Sequence, residues 1–300
     1  GIIGGQDATP GSWPWHALVV AYGPYGYKQC GGSLITNQWV LTAARCSPLP
    51  HIFKLKQQVI FYSVGRYNQS VKETICHPAF SFYCWTYEND ICLLKLSAPV
   101  NFTDYIQPIC LASEKSTFHN GTSSWVTGFG YDDSNSFSLQ LGYRFSNILQ
   151  EVNVPILGNN ECRYITETDH LLKVTDLSLQ FSINFSSQGD EREPLVIKAG
   201  SLWVQSGVQS YSYGCGGLSI YTRVSQYQKW ISDTVTGTPP EECVTSEVWR
   251  EVILDLNAGL AGLLRMWTAF IIKTGKQKMR RLAGRLAELK TYTEDDKTRN

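Results

Sequence analysis

Three short stretches gather the side chains that can do chemistry: Ala43-Ala44-Arg45-Cys46, Asn89-Asp90, and Gly189-Asp190-Glu191-Arg192-Glu193-Pro194. Carboxylates and guanidinium groups can pair, bind a charged partner or, with a suitable neighbour, move a proton. Arg45 is unfit for the last task, because its guanidinium is protonated at any usable pH and has no lone pair to accept a proton. Glu191 offers a carboxylate, a poor nucleophile toward an amide. Taken alone, Gly189 to Pro194 reads as a polar surface turn and Asp90 as a hydrogen-bonded buried carboxylate. Their weight comes from the elements around them.

Those elements are short apolar runs separated by turn residues, which read as β-strands. Ile2-Ile3-Gly4-Gly5 is followed by Pro10-Gly11-Ser12-Trp13-Pro14-Trp15 and by Ala17-Leu18-Val19-Val20. Next come Cys30-Gly31-Gly32-Ser33-Leu34-Ile35, then Trp39-Val40-Leu41-Thr42-Ala43-Ala44-Arg45-Cys46, then Asn89-Asp90-Ile91-Cys92-Leu93-Leu94. Pro108-Ile109-Cys110-Leu111, Ser124-Trp125-Val126-Thr127-Gly128-Phe129-Gly130 and Tyr221-Thr222-Arg223-Val224 complete the series. In this order and spacing the blocks resemble the trypsin-like serine proteases over about residues 2–234, most weakly over 177–207.

The resemblance implies an all-β fold of two antiparallel six-stranded β-barrels with a short C-terminal helix. It implies a protease-like domain over residues 1–235; beyond it, composition alone reads 236–300 as a linker, Thr236-Gly237-Thr238-Pro239-Pro240, and a basic amphipathic helical tail. Ser225 is the expected N-cap of the short helix, with Tyr227, Trp230 and Ile231 on its packed face.

Carried over position by position, the resemblance leaves the chemistry broken. Arg45 stands where the family has its general-base histidine, and Glu191 where it has its nucleophilic serine; only Asp90 is kept. His51, the nearest histidine to Arg45, reads as a solvated loop residue. Gly189 and Asp190 fall in the loop that presents oxyanion donors, and Arg192 and Glu193 replace two glycines there. If the backbone is kept, Arg45 is expected between Glu191 and Asp90 in a row of alternating charge. In the family the residue at Asp190 pairs with a freed amino terminus, here Ile2. Gly1 precedes Ile2 instead of a basic residue, so a zymogen-like arrangement is expected.

Phe185, Ser210 and Ser212 fall around the substrate pocket, with Phe185 at its floor. Together they predict a narrow, apolar or occluded pocket. Nine cysteines include the pair Cys30 and Cys46, which the resemblance joins. A disulfide closing a loop of that size stabilises by roughly 3 kcal/mol in the chain-entropy model. Cys76 and Cys92 fall on strands expected to be neighbours and are a candidate pair, and Cys243 is a candidate partner for Cys110. Cys162 and Cys215 keep family positions but have lost their partners to Gln180 and Ser187; Cys84 has no assigned partner. Ser124 and Ile197 replace both halves of a further family disulfide. An odd count leaves at least one thiol free or intermolecular.

Composition sets the compartment. The formal net charge of zero gives no bulk field for nucleic acid. Many cysteines and four acceptor sequons, at Asn68, Asn101, Asn120 and Asn184, point to the secretory route and to a secreted or cell-surface protein. The chain begins at Gly1 with no apolar leader, as expected of a processed chain or a fragment. No terminal apolar run gives it a lipid-anchor signal.

The tail holds a mostly apolar stretch, 252–272, interrupted by Asp255, Asn257 and Arg265, so insertion as a span is marginal. With the basic, amphipathic stretch 273–290 it fits a helix lying on an anionic membrane surface or against a partner. A plain helical or disordered appendage fits equally well. No cofactor and no metal is expected. The sequence therefore reads as a homologue of trypsin-like proteases that has lost catalysis and acts, if at all, by binding a protein partner it does not identify. A serine endopeptidase of the same family and a non-functional duplicate are the alternatives.

Overall fold

The computed structural model describes residues 5–23, 26–47, 56–63, 65–83, 86–129, 148–157, 179–183, 193–212 and 218–243, and the statements below concern these. The chain divides into two units, residues 1–246 and 247–300, and all described residues belong to the first.

The first unit is built from short strands. β1 (Gln6–Asp7), β2 (His16–Gly23), β3 (Gly26–Leu34), β4 (Trp39–Thr42), β5 (Lys56–Ser63), β6 (Gly65–Cys76), β7 (Ser81–Tyr83), β8 (Thr86–Glu88) and β9 (Cys92–Leu96) form the amino-terminal part. β10 (Cys110–Ala112), β11 (Ser123–Gly128), β12 (Gln150–Leu157), β13 (Leu179–Ile183), β14 (Pro194–Ala199), β15 (Leu202–Ser212) and β16 (Leu218–Arg223) follow. A 3-10 turn, Val224–Tyr227, leads into the helix α1 (Gln228–Thr234), and β17 (Glu242–Cys243) closes the described chain. Strands β2, β3, β4, β9, β6 and β5 form a closed antiparallel barrel. In the other sheet, β14, β11, β12, β13, β16 and β15 are neighbours in that order, and β14–β15 pairing closes the ring.

The continuous apolar run of β2 has a cause. Ala17 and Val19 face the barrel core with Val59 and Phe61, while Leu18 and Val20 face a second cluster with Ile60 and Phe129. A strand covered on both faces has no solvent side to mark with polar residues. In β12 the burial alternates: Val152, Val154 and Ile156 point into the second barrel's core with Val126, Leu195 and Tyr221, and Asn153 and Pro155 point out. Such alternation is the signature of a half-buried antiparallel strand. Ser124 and Ile197, at the vacated disulfide positions, are both buried: the Ser124 hydroxyl donates to the Val154 carbonyl at 2.6 Å, and Ile197 joins the second core.

The helix start differs from the sequence reading. Ser225 is buried inside the 3-10 turn, and α1 begins at Gln228 after Tyr227, without a side-chain cap. Tyr227 and Ile231 are buried and Trp230 packs half-buried, as a helix docked along one face requires. The segment 236–243, read above as linker, runs along the domain. Trp39 Nε1 donates to the Thr236 carbonyl at 3.1 Å, β17 lies parallel to β10, and Cys110 is joined to Cys243. Cys30–Cys46 and Cys76–Cys92 are also disulfides, the latter between directly paired residues of β6 and β9. The remaining cysteines, Cys84, Cys162 and Cys215, lie outside the described residues, as do Ser187 and the 252–290 stretch. Among the described residues no helix is long and apolar enough to cross a membrane.

Candidate functional site

Arg45 sits on a short 3-10 turn, Ala44–Cys46, that follows β4 and is tied to β3 through the Cys30–Cys46 disulfide. Its backbone is held from two sides. The amide donates to Asp90 Oδ1 at 2.9 Å, and Lys28 Nζ donates to the carbonyl at 2.8 Å. Its guanidinium makes two contacts of its own. The guanidinium carbon lies 4.2 Å from the centre of the Tyr87 ring, and Nη1 donates to the Ser210 carbonyl at 2.5 Å. A cation over an aromatic face is attracted by the ring quadrupole, so Tyr87 acts as a platform for the guanidinium.

Asp90 enters between the barrels from a kink at Asn89, whose φ of 52° lies in the left-handed region that Asn tolerates. The Asn89 side chain fixes that kink, donating to the Ala79 carbonyl at 2.9 Å and accepting from the Tyr227 hydroxyl at 3.0 Å. Asp90 is fully buried, and the Ser210 hydroxyl donates to its Oδ2 at 2.6 Å. Its carbonyl accepts from the Thr222 hydroxyl at 3.0 Å. The expected row of alternating charge runs through Glu191, which lies outside the described residues. The backbone amide of Arg45 reaches the carboxylate, while its guanidinium serves a neutral carbonyl and an aromatic ring. Both oxygens of Asp90 are satisfied without an imidazole.

The pocket wall formed by β15 and β16 is bridged by its own side chains. Gln209 Nε2 donates to Ser212 Oγ at 2.7 Å and to Ser219 Oγ at 3.2 Å, and the two hydroxyls lie 2.9 Å apart. Gln209 and Ser219 are buried. Three small hydrogen-bonding groups thus satisfy one another at this position; Phe185, expected at the pocket floor, lies outside the described residues. Ser210 contributes its hydroxyl to Asp90 rather than to a pocket.

Glu193 is one of the two residues that replace loop glycines. It is an inter-barrel residue, 2% exposed. Its carboxylate lies against the α-carbon of Gly31 on β3, where an added methyl would meet Oε2 at 2.1 Å. Oε2 is 3.7 Å from Nδ1 of His16, which shares a 2.9 Å hydrogen bond with Thr127 Oγ1 across the barrel boundary. Burial pushes the His16 imidazole down to about 3. The carboxylate, beyond hydrogen-bond reach, does not offset the lost hydration, so the ring is neutral at pH 7.

Gly189, Asp190, Glu191, Arg192 and Phe185 lie outside the described residues, as do His51, Ile2 and Asn184. Arg45, Asp90 and Ser210 come together; Ser212 belongs to the separate Gln209 cluster. Asn68, Asn101 and Asn120 are exposed. Sequence reasoning missed Tyr87, Gln209, Ser219 and the burial of Glu193. The last had a signal, a charge placed directly against the apolar run Pro194-Leu195-Val196. Among the described residues the one cluster with three metal-ligating side chains is Cys110, Glu241 and Cys243, and its disulfide uses both sulfurs.

The family described as Trypsin matches residues 2–231. This chain belongs to the trypsin-like serine protease family. A Mus musculus protein named Tryptase is 39% identical over 247 residues, covering 77% of this chain and 87% of that relative.

Proposed function

We propose that this member of the trypsin-like serine protease family is catalytically silent, is exported from the cell, and acts by binding another protein. The observation that carries the reading is Arg45. At the general-base position it presents a group that cannot accept a proton, and that group is engaged by the Ser210 carbonyl and the Tyr87 ring. Acyl transfer by the family's route needs a hydroxyl, an imidazole to take its proton, and donors for the oxyanion. Glu191 at the nucleophile position adds a carboxylate whose charge opposes an oxyanion. Three disulfides and exposed sequon asparagines at Asn68, Asn101 and Asn120 support an oxidising, glycosylating route.

The test is turnover. Purified chain, secreted from cultured cells, is incubated with an unfolded protein substrate and with a fluorogenic peptide library. Silence predicts cleavage no faster than a heat-inactivated sample. Cleavage that tracks the protein through gel filtration would favour the second reading, a serine endopeptidase, which the identity to Tryptase supports.

A further inference from the structure

The end of β15 carries an unusual backbone arrangement. β14 starts at Pro194, opposite Val208, and the last bond on that side among the described residues is from the Gln209 amide to the Glu193 carbonyl at 3.0 Å. On the other side the ladder to β16 passes from Gln209↔Tyr221 to Tyr211↔Ile220, with the bulge falling at Ser210. Ser210 thus has no register partner on either flank among the described residues. A backbone carbonyl at such a strand end is a natural acceptor for the N–H of an added extended chain. Here a side chain of the protein takes it.

We propose that Arg45 is a built-in stop, an autoinhibitory contact that occupies the Ser210 carbonyl and keeps an extended polypeptide from pairing with β15. The inference rests on the silent-protease reading and deepens it: the site is closed to backbone pairing as well as to chemistry. The stop is braced at every point. The Cys30–Cys46 disulfide, the Asp90 carboxylate and the Lys28 ammonium fix its backbone, and the Tyr87 ring fixes its guanidinium. Little rotamer freedom remains to be lost, so the stop competes with a peptide from a position already ordered. Its donor is charged, and charge-assisted hydrogen bonds are stronger than the amide–carbonyl bond that a peptide would offer in exchange.

The experiment uses the full chain with 15N-labelled backbone and a capped tetra-alanine peptide, whose methyl side chains ask little of the hydrogen-bonded Gln209, Ser212 and Ser219 beside it. Amide resonances of Tyr211 and Ser212 report pairing. Arg45→Met keeps an apolar stem on Tyr87 but removes every donor, and Arg45→Ala removes both. The expected result is shifts confined to this strand end, with a dissociation constant roughly tenfold or more lower in both variants than in the natural chain. Equal binding by the natural chain, or no shifts in variants that melt cooperatively, overturns the proposal. If neither variant folds, Tyr87→Ala decides: loss of the platform should tighten peptide binding several-fold, and unchanged binding overturns the stop. Labelling of the natural chain by an active-serine probe would overturn the silent reading instead, through a readout independent of peptide affinity.

Discussion

Replacing Gly31 by Ala tests whether the Glu193 carboxylate is lodged between the barrels. The added methyl would lie 2.1 Å from Oε2, 2.4 Å from Cδ and 2.8 Å from Oε1 of Glu193, all well inside van der Waals contact. Gly31 lies within a strand, so Ala carries no helix or turn penalty, and stiffening the unfolded chain favours it by about 0.5–1 kcal/mol. Overpacking a filled site costs about 1–3 kcal/mol, and pushing a buried carboxylate off its seat adds to that. The net expectation for Gly31→Ala is a loss of about 2–3 kcal/mol. In a Glu193→Ala background the space is vacant, and the same substitution should cost less than about 0.5 kcal/mol. The assay is a double-mutant cycle on guanidinium chloride unfolding, and the expected coupling is about 2 kcal/mol in the sense of rescue. Additive effects would refute the placement of Glu193 and with it the account of the barrel boundary.

His16 makes stability depend on pH. Its folded pKa, about 3, lies below the ordinary value of 6.5, so the unfolded chain takes up a proton that the folded chain refuses. The contribution is complete above about pH 6.5 and is lost as pH falls, reaching about 5 kcal/mol near pH 3 by linkage. Urea midpoints from pH 7 to pH 4 should fall less steeply in His16→Gln, and parallel curves would contradict this. Cys243→Ser opens a disulfide spanning 133 residues and should cost about 5 kcal/mol on the chain-entropy model, more than Cys46→Ser, which opens a span of 16 at about 3 kcal/mol. Guanidinium chloride midpoints order the two. Asp90→Ala strands the Arg45 amide and the Ser210 hydroxyl and should lower stability by about 3 kcal/mol in thermal unfolding; an unchanged midpoint would contradict this.

The strands were legible because their signals are local, whereas their closure into barrels was read from the family resemblance. Alternation in β12, the doubly covered run of β2 and the turn residues between strands each follow from which faces are buried. The position of Arg45 near Asp90 was legible only through the family resemblance; the structure joins them by the Arg45 amide. Where the Arg45 guanidinium points was not. That choice depends on Tyr87, 42 positions along the chain, and on a carbonyl freed by a bulge 165 positions away. Glu193 reads as a loop charge until Gly31 and His16 are brought against it from another strand pair. The polar bridge of Gln209, Ser212 and Ser219 joins two strands whose register a composition cannot supply.

The most direct test of catalytic silence is labelling with a fluorophosphonate that reacts with activated serines. The natural chain, secreted and verified by terminal sequencing, is compared with its heat-denatured form and with an active trypsin-family enzyme at equal concentration. The account predicts no labelling above the denatured control, because Arg45 cannot take a proton and Glu191 offers no hydroxyl. Stoichiometric labelling of a single serine in the native chain, lost on heating, would contradict it.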